Sequence, residues 1–201
     1  MNDIHGRLIA MHRRGHTRAI TDLRDEADFM PDRPARAAAV LIAVTQRQDE
    51  PGILLIERPS AMRTHPGQVA FPGGAIDSGE TPVQAALREA QEEIALPISQ
   101  VHVIGETDRY RTGSGFAITP VLATVPPDLA LRSNPAEVDE WFEVPLSFVF
   151  DPANHVSRSA MHQGRARQFI EIHWQGHRIW GVTAAIIQNL SKRLGWDEQP
   201  R

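Results

Sequence analysis

The chain of 201 residues contains no cysteine. That excludes disulfides, thiolate zinc sites and a cysteine nucleophile, and it fits a reducing compartment. A basic excess is lacking as well, since 21 Lys and Arg stand against 25 Asp and Glu for a formal net charge of −4. No global positive field recommends nucleic acid or an anionic membrane as a partner, so any polyanion must be bound locally. Long apolar runs are also missing. The longest, "AAAVLIAV" from Ala37 to Val44, falls far short of the roughly 20 residues a membrane-spanning helix needs, and it reads as a buried strand. The opening stretch, "MNDIHGRLIAMHRRGHTRAI", scatters charges and histidines where a secretory signal would carry its apolar core. The expected location is therefore cytoplasmic.

What the chain does have suits one compact domain with a sizeable core: 41% hydrophobic and 23% charged residues. Residues 1–34 read as a polar N-terminal extension, partly helical, ending in "MPDRP", where two prolines stop regular structure. The main domain is expected over 35–201. It opens with "AAAVLIAVTQ" and "GILLIER", two β-branched apolar stretches separated by the polar turn "RQDEP". "QVAF" is a shorter strand, and Pro72-Gly73-Gly74 after it is expected to form a tight loop. "VHVIGETDRY", "FAITPVLATV", "EWFEV" and "QFIEIHW" continue as strands, the last turning through Gln175-Gly176 into "HRIW". Pro120 predicts an edge position for its strand. "GVTAAIIQNLSKRL" closes the chain as a helix with basic residues in its last turn. The order suggests a mixed α/β fold, a mixed sheet flanked by helices.

Between the strands lies a segment with strong helix signals, from Thr81 to Ala95. Thr81 can cap, Pro82 suits the first helical position, and Gln84 completes a capping-box pattern. Val83, Ala86, Leu87, Ala90 and Ile94 recur at helical spacing as the buried stripe, and Pro97 ends the run. On the other side, Glu89, Glu92 and Glu93 converge on one face, where a like-charged i, i+4 pair costs roughly 0.2–0.5 kcal/mol. Arg88, four residues before Glu92, can pair with part of this charge but cannot neutralise three carboxylates. The preceding "FPGGAIDSGE" places adjacent glycines where backbone can approach a ligand closely. Oxygen donors without histidine or thiolate suit Mg2+ or Mn2+ rather than zinc.

The stretch "GAIDSGETPVQAALREAQEEIAL", Gly74 to Leu96, resembles the signature of the Nudix hydrolases. Gly74, Glu80, Arg88, Glu89, Glu92, Glu93 and Leu96 fall in its register. Ala90 is a small occupant of a bulky position, and Ala95 stands where the family has glycine, so the helix is expected to end by another route. The resemblance implies an α/β/α sandwich that hydrolyses a nucleoside diphosphate linked to another moiety. It implies Glu89, Glu92 and Glu93 as metal ligands, the Gly74 carbonyl as a further ligand, Arg88 as an orienting residue and Glu80 as a structural one. Glu89 is read as ligand, general base or both. Glu137 and Glu140, in "NPAEVDEWF", are candidates for a base from a later loop.

Upstream, "LLIERPSAMRTHPGQVAFPGG" resembles the second signature of the coenzyme A diphosphatases within that family. Leu54, Leu55, Arg58, Arg63, Gly67, Phe71, Pro72, Gly73 and Gly74 match, while Ile56 replaces a threonine and Pro59 a small residue. The substrate this implies is coenzyme A, with Arg58, Arg63 and Gly73 as substrate-binding residues. An arginine fork suits a ligand carrying three phosphate groups. His65 reads as a hydrogen-bonding residue of the "THPGQ" loop. His173 and His177 flank a hairpin, so helical ligand spacing does not apply and no histidine metal site is expected. Other readings are a Nudix hydrolase of NADH, ADP-ribose or an oxidised nucleoside triphosphate, and a non-catalytic nucleotide sensor. A homodimer is compatible with the sequence, although nothing in it marks an interface.

Overall fold

The structure, a computed structural model, describes residues 4–32, 34–60, 66–162 and 164–196. Arg63 and His65 lie outside the described residues. Helix α1 (Ile4–His16) buries Ile4, Leu8 and Met11, one face of an amphipathic helix. Strands β1 (Arg36–Thr45) and β2 (Gly52–Glu57) follow, then the short β3 (Val69–Ala70) and β4 (Gly73–Ala75), and helix α2 (Pro82–Ile94). Next come β5 (His102–Glu106), β6 (Tyr110–Arg111), β7 (Phe116–Val125), β8 (Glu140–Pro145) and the short helix α3 (Leu146–Val149). The chain continues through β9 (Val156–His162), β10 (Arg165–Trp174) and β11 (His177–Trp180) into helix α4 (Val182–Leu194).

The main sheet runs β3-β2-β1-β7-β5, with β4 also on β1, β6 on β7 and β8 on β2. It is mixed: β1 pairs parallel with β7 along its whole length and antiparallel with β2 and β4. Strand side chains alternate between faces, and β2 shows the division. Ile53 and Leu55 join the cluster covered by α1 and α4, whereas Leu54 and Ile56 join Ala86, Ala90 and Ile94 of α2. Helices thus cover both faces, a mixed α/β sandwich. At roughly 1.5–3 kcal/mol for each fully buried Val, Leu or Ile, this clamp is what holds α2 at a fixed height over the sheet. Among the described residues no helix is long and apolar enough to cross a membrane.

Four expectations are corrected. Gly73 and Gly74 are not a tight loop but strand, opposite Val40 and Ala39 of β1; a Cβ on Gly73 would lie 2.4 Å from the Ala39 carbonyl oxygen, so glycine serves close approach there. Pro120 is not on an edge, because β7 has β1 on one side and β5 and β6 on the other. The Pro120 carbonyl accepts from the Thr107 amide at 2.9 Å, in the gap between β5 and β6. Its ring nitrogen faces the same gap, where no ladder donor is missed. "VHVIGETDRY" is correspondingly two strands rather than one. Finally, β9, β10 and β11 form a separate three-stranded antiparallel sheet. Its first strand, "VSRSAMH", escaped notice because a largely exposed edge strand has no apolar alternation.

The end of α2 is a further correction. Ala95 takes the left-handed conformation itself, φ 53° and ψ 35°, with its N–H on the Gln91 carbonyl at 3.0 Å and the Leu96 N–H on the Ala90 carbonyl at 3.3 Å. The helix therefore leaves by the glycine-type route without the glycine. The left-handed conformation costs an L-residue roughly 1–2 kcal/mol, and a glycine loses roughly 0.5–1 kcal/mol more backbone entropy on folding than alanine does. Ala95→Gly is expected to raise stability by about 0.5–1 kcal/mol, read as a higher urea midpoint at unchanged slope. A lower midpoint would refute the strain at this position.

Candidate active site

The site is built on α2. Thr81 caps it, accepting from the Gln84 amide at 3.2 Å while the Gln84 side chain accepts from the Thr81 amide at 2.8 Å. Ala85, Ala86, Ala90 and Ile94 are buried against the sheet, which turns Arg88, Glu89 and Glu92 outward along one flank. Arg88 is the hub of that flank. Its guanidinium donates to Glu80 at 2.9 and 3.1 Å, to Glu89 at 2.9 Å, to Glu92 at 3.2 Å and to the Ala75 carbonyl at 3.1 Å. These carboxylates, Glu80 first, hold Arg88 charged at any ordinary pH, and Arg88 in turn keeps the Glu80 carboxyl below the usual range. Glu80 also accepts from the Asp77 amide at 3.0 Å, closing the loop before the helix.

Glu93 points inward instead and is only 2% exposed. Its Oε2 accepts from the Gly73 amide at 2.9 Å. Carboxylate oxygens of Glu89, Glu93 and Glu137 lie within 4.8 Å of one another. Glu137 is brought there by backbone: the last carbonyls of α2, on Glu93 and Ile94, accept from the amides of Asn134 and Arg132 at 2.8 and 3.0 Å. Carbonyls that a helix leaves unpaired therefore anchor the loop that carries the third carboxylate. Burial pushes the Glu93 carboxyl up to about 8; Glu89 and Glu137 repel its charge, and the Gly73 amide and Arg58 oppose the rise. Gly74 makes room, since a Cβ there would lie 2.4 Å from Glu89 Oε1.

Of the residues singled out in the sequence, Glu89, Glu93, Gly73, Gly74 and Glu137 meet here. Arg58 is near enough to act on Glu93 electrostatically, and its buried Nε has no hydrogen-bond partner among the described residues. Glu92 is exposed, paired with Arg88, and outside the trio. The two later glutamates separate, because Glu140 sits opposite Glu57 across the β2–β8 ladder. His173 approaches Glu171 at 3.3 Å, away from His177, which meets Glu57 at 2.9 Å. Sequence spacing alone carried no signal for that second meeting, because its members come from three separate strands.

Three converging carboxylate oxygens with no histidine or thiolate form a donor set for a hard divalent cation. A buried carboxyl that burial keeps from ionising is what such a cation would relieve. The donor set and the close approach of Gly74 sit on a mixed-sheet sandwich, the architecture expected from the sequence. The NUDIX domain profile matches residues 35–164, and the chain belongs to the Nudix family. It is a hydrolase of that family, whose members use divalent metal ions.

Curated relatives agree. The chain is 42% identical over 161 residues to the uncharacterized Nudix hydrolase NudL of Enterobacter sp., covering 80% of this chain and 83% of that protein. It is 40% identical over 161 residues to NudL of Escherichia coli O6:H1, with the same coverage of 80% and 83%. Among solved structures, the Nudix hydrolase RenU of M. smegmatis aligns with a TM-score of 0.56 at 26% identity, covering 84% of this chain and 90% of that one. The MutT protein of Methanosarcina mazei shares the fold at a TM-score of 0.53 and 14% identity, covering 85% and 99%.

The raised carboxyl has a consequence for stability. Unfolded, Glu93 titrates near 4.5, and folded near 8. The folded chain therefore holds more protons between those values, and the contribution of Glu93 to stability, present below the lower value, is lost as pH rises through the upper one. With chelator present, the melting temperature of wild type relative to Glu93→Gln is expected to fall steadily from about pH 5 to about pH 8.5. A difference that stays constant across that range would show that Glu93 ionises normally.

Proposed function

We propose that the protein hydrolyses the diphosphate bond of coenzyme A or its derivatives, giving 4'-phosphopantetheine, or its acyl form, and adenosine 3',5'-bisphosphate, in the cytoplasm and with Mg2+ or Mn2+. The observation that carries the hydrolytic part is the convergence of Glu89, Glu93 and Glu137 around a carboxyl that burial disfavours as an anion. Coenzyme A as substrate is supported by the likeness of Leu54–Gly74 to the diphosphatase signature and by Arg58, whose buried Nε has no partner among the described residues.

Glu89, Glu93 and the Gly74 carbonyl would hold the cations, and Glu92 would join them on leaving Arg88. Bound divalent ions supply neutralisation of the phosphates and a lowered pKa for coordinated water. Arg88 fixes Glu89, so the ligand oxygen does not have to be ordered during reaction. Glu137 takes the proton of the attacking water, being the member of the trio that comes from a loop and lacks a bond to Arg88. As water oxygen bonds to phosphorus, the diphosphate P–O bond breaks and its electrons leave with the departing phosphate. Arg58 binds a phosphate through its fork, with Arg63 as a second such group.

Coenzyme A, acyl-coenzyme A, NADH, ADP-ribose and 8-oxo-dGTP are to be offered with Mg2+ or Mn2+ and the products weighed by mass spectrometry. Cleavage of coenzyme A in preference to the others is expected; coenzyme A left intact while another compound is cut would move the substrate assignment and keep the hydrolase. Glu137→Gln is expected to lower kcat by about 10²–10⁴-fold. Arg58→Lys, which loses the fork, is expected to raise KM for coenzyme A about tenfold with a smaller effect on kcat.

A further inference from the structure

On the opposite face of the main sheet, three ligand-type side chains converge: Glu57 at the end of β2, Glu140 at the start of β8 and His177 at the start of β11, with one ligand atom from each within 4.8 Å of the others. The face follows from alternation. Glu57 continues the Ile53 and Leu55 set, and Glu140 and Phe142 lie directly across from Glu57 and Leu55. Arg58, the next residue, belongs to the α2 face with Glu93. The cluster is therefore separated from the Glu89–Glu93–Glu137 site by the thickness of the sheet.

The imidazole is held in a fixed plane. It stacks on Phe142 with ring centroids 3.8 Å apart and planes 8° from parallel. So oriented, Nδ1 faces Glu57 Oε2 at 2.9 Å while Nε2 faces Glu140 Oε1 at 3.8 Å. Both ring nitrogens thus look at carboxylates. A neutral imidazole has one N–H and one lone pair, so one of the two carboxylates must face a lone pair. That arrangement asks for a cation, supplied either by a second proton on the ring or by a metal. With Nδ1–H donating to Glu57 at 2.9 Å, the Nε2 lone pair faces Glu140 Oε1 across 3.8 Å, a gap that an ion with metal–ligand bonds of about 2.0–2.2 Å can occupy, while Glu57 orients the ring. The surroundings are half-buried, with the His177 side chain 17% and that of Glu57 30% exposed, while the 58% exposed Glu140 leaves a way in for an ion.

We propose that Glu57, Glu140 and His177 form a second divalent-metal site, distinct from the carboxylate site on α2. An imidazole nitrogen with the Glu140 carboxylate, backed by Glu57 on the other ring nitrogen, suits a first-row transition ion such as Mn2+ or Zn2+ rather than Mg2+ or Ca2+, which take oxygen ligands. The ion fastens β11, and with it the three-stranded sheet, to the β2–β8 pair. It does so beside Arg58, the residue after β2, and close along the chain to Glu137, so the two sites share their supporting strands. Nothing in the diphosphatase reading requires this site, and its test does not use turnover.

The experiment is Mn2+ binding to the untagged full chain, followed by continuous-wave EPR for stoichiometry and pulsed EPR for nitrogen coupling. Wild type is expected to show two classes of bound Mn2+, one of them coupled to a single imidazole nitrogen. His177→Gln should lose the nitrogen coupling and one class of site, and Glu140→Gln should weaken the nitrogen-coupled class about tenfold or more. Glu93→Gln should weaken only the class without nitrogen. Saturated wild-type protein with no imidazole coupling overturns the site, and so does a nitrogen coupling that survives in folded His177→Gln. The wild-type spectrum decides even where a variant fails to fold.

Discussion

A carboxyl that burial keeps from ionising, set between two others that repel it, is the constraint around which this molecule is arranged. Glu93 is almost fully enclosed, and burying an unpaired charge costs several kcal/mol. The cost is limited because the Gly73 amide supplies one hydrogen bond and burial favours the protonated, uncharged form. Small residues make that geometry attainable. Ala85, Ala86 and Ala90 on α2 pack with Ala39, Leu41 and Ala43 of β1, and Gly73 and Gly74 bring β4 onto that same strand. Larger side chains at Gly73 or Gly74 would strike the β1 backbone or the Glu89 carboxylate.

Arg88 is the counterpart of Glu93. It reaches Glu80, Glu89 and Glu92 and a backbone carbonyl, with its side chain 28% exposed. Partly exposed ion pairs of this kind contribute only about 0–1 kcal/mol each to stability, so the network is better understood as positioning than as glue. One guanidinium shared among three carboxylates orders them without neutralising them. The site retains a net negative charge, which is the electrostatic condition for holding a divalent cation.

Much of this was legible in the chain. The capping box, the apolar stripe and the crowding of Glu89, Glu92 and Glu93 are local patterns, and local patterns survive into the fold because α2 is held by its own buried stripe. Other features depended on partners distant in sequence. Gly73-Gly74 reads as a turn until β1 is laid against it, and Pro120 reads as an edge signal until β5 breaks off opposite its ring. Glu137 and Glu140 are indistinguishable as text. Only the bonds from Asn134 and Arg132 to the end of α2 select the first for the carboxylate site, whereas the β2 ladder holds the second.

The same separation governs how the two faces communicate. At the end of β2, Glu57 and Arg58 are neighbours in the chain but point to opposite sides of the sheet, and the turn from Glu137 to Glu140 does the same on the partner strand. The Asp139 amide donates to the Glu57 carbonyl at 2.9 Å, and the Arg58 amide donates to the Gln68 carbonyl at 3.1 Å. A load on Glu57, Glu140 or His177 is thus borne by the strand ends that carry Arg58 and Glu137 to the carboxylate site. Close-packed interiors transmit displacement rather than absorb it. Whatever fixes the hairpin of β10 and β11 against β2 and β8 therefore also fixes the distance between Arg58 and Glu137, although it touches neither.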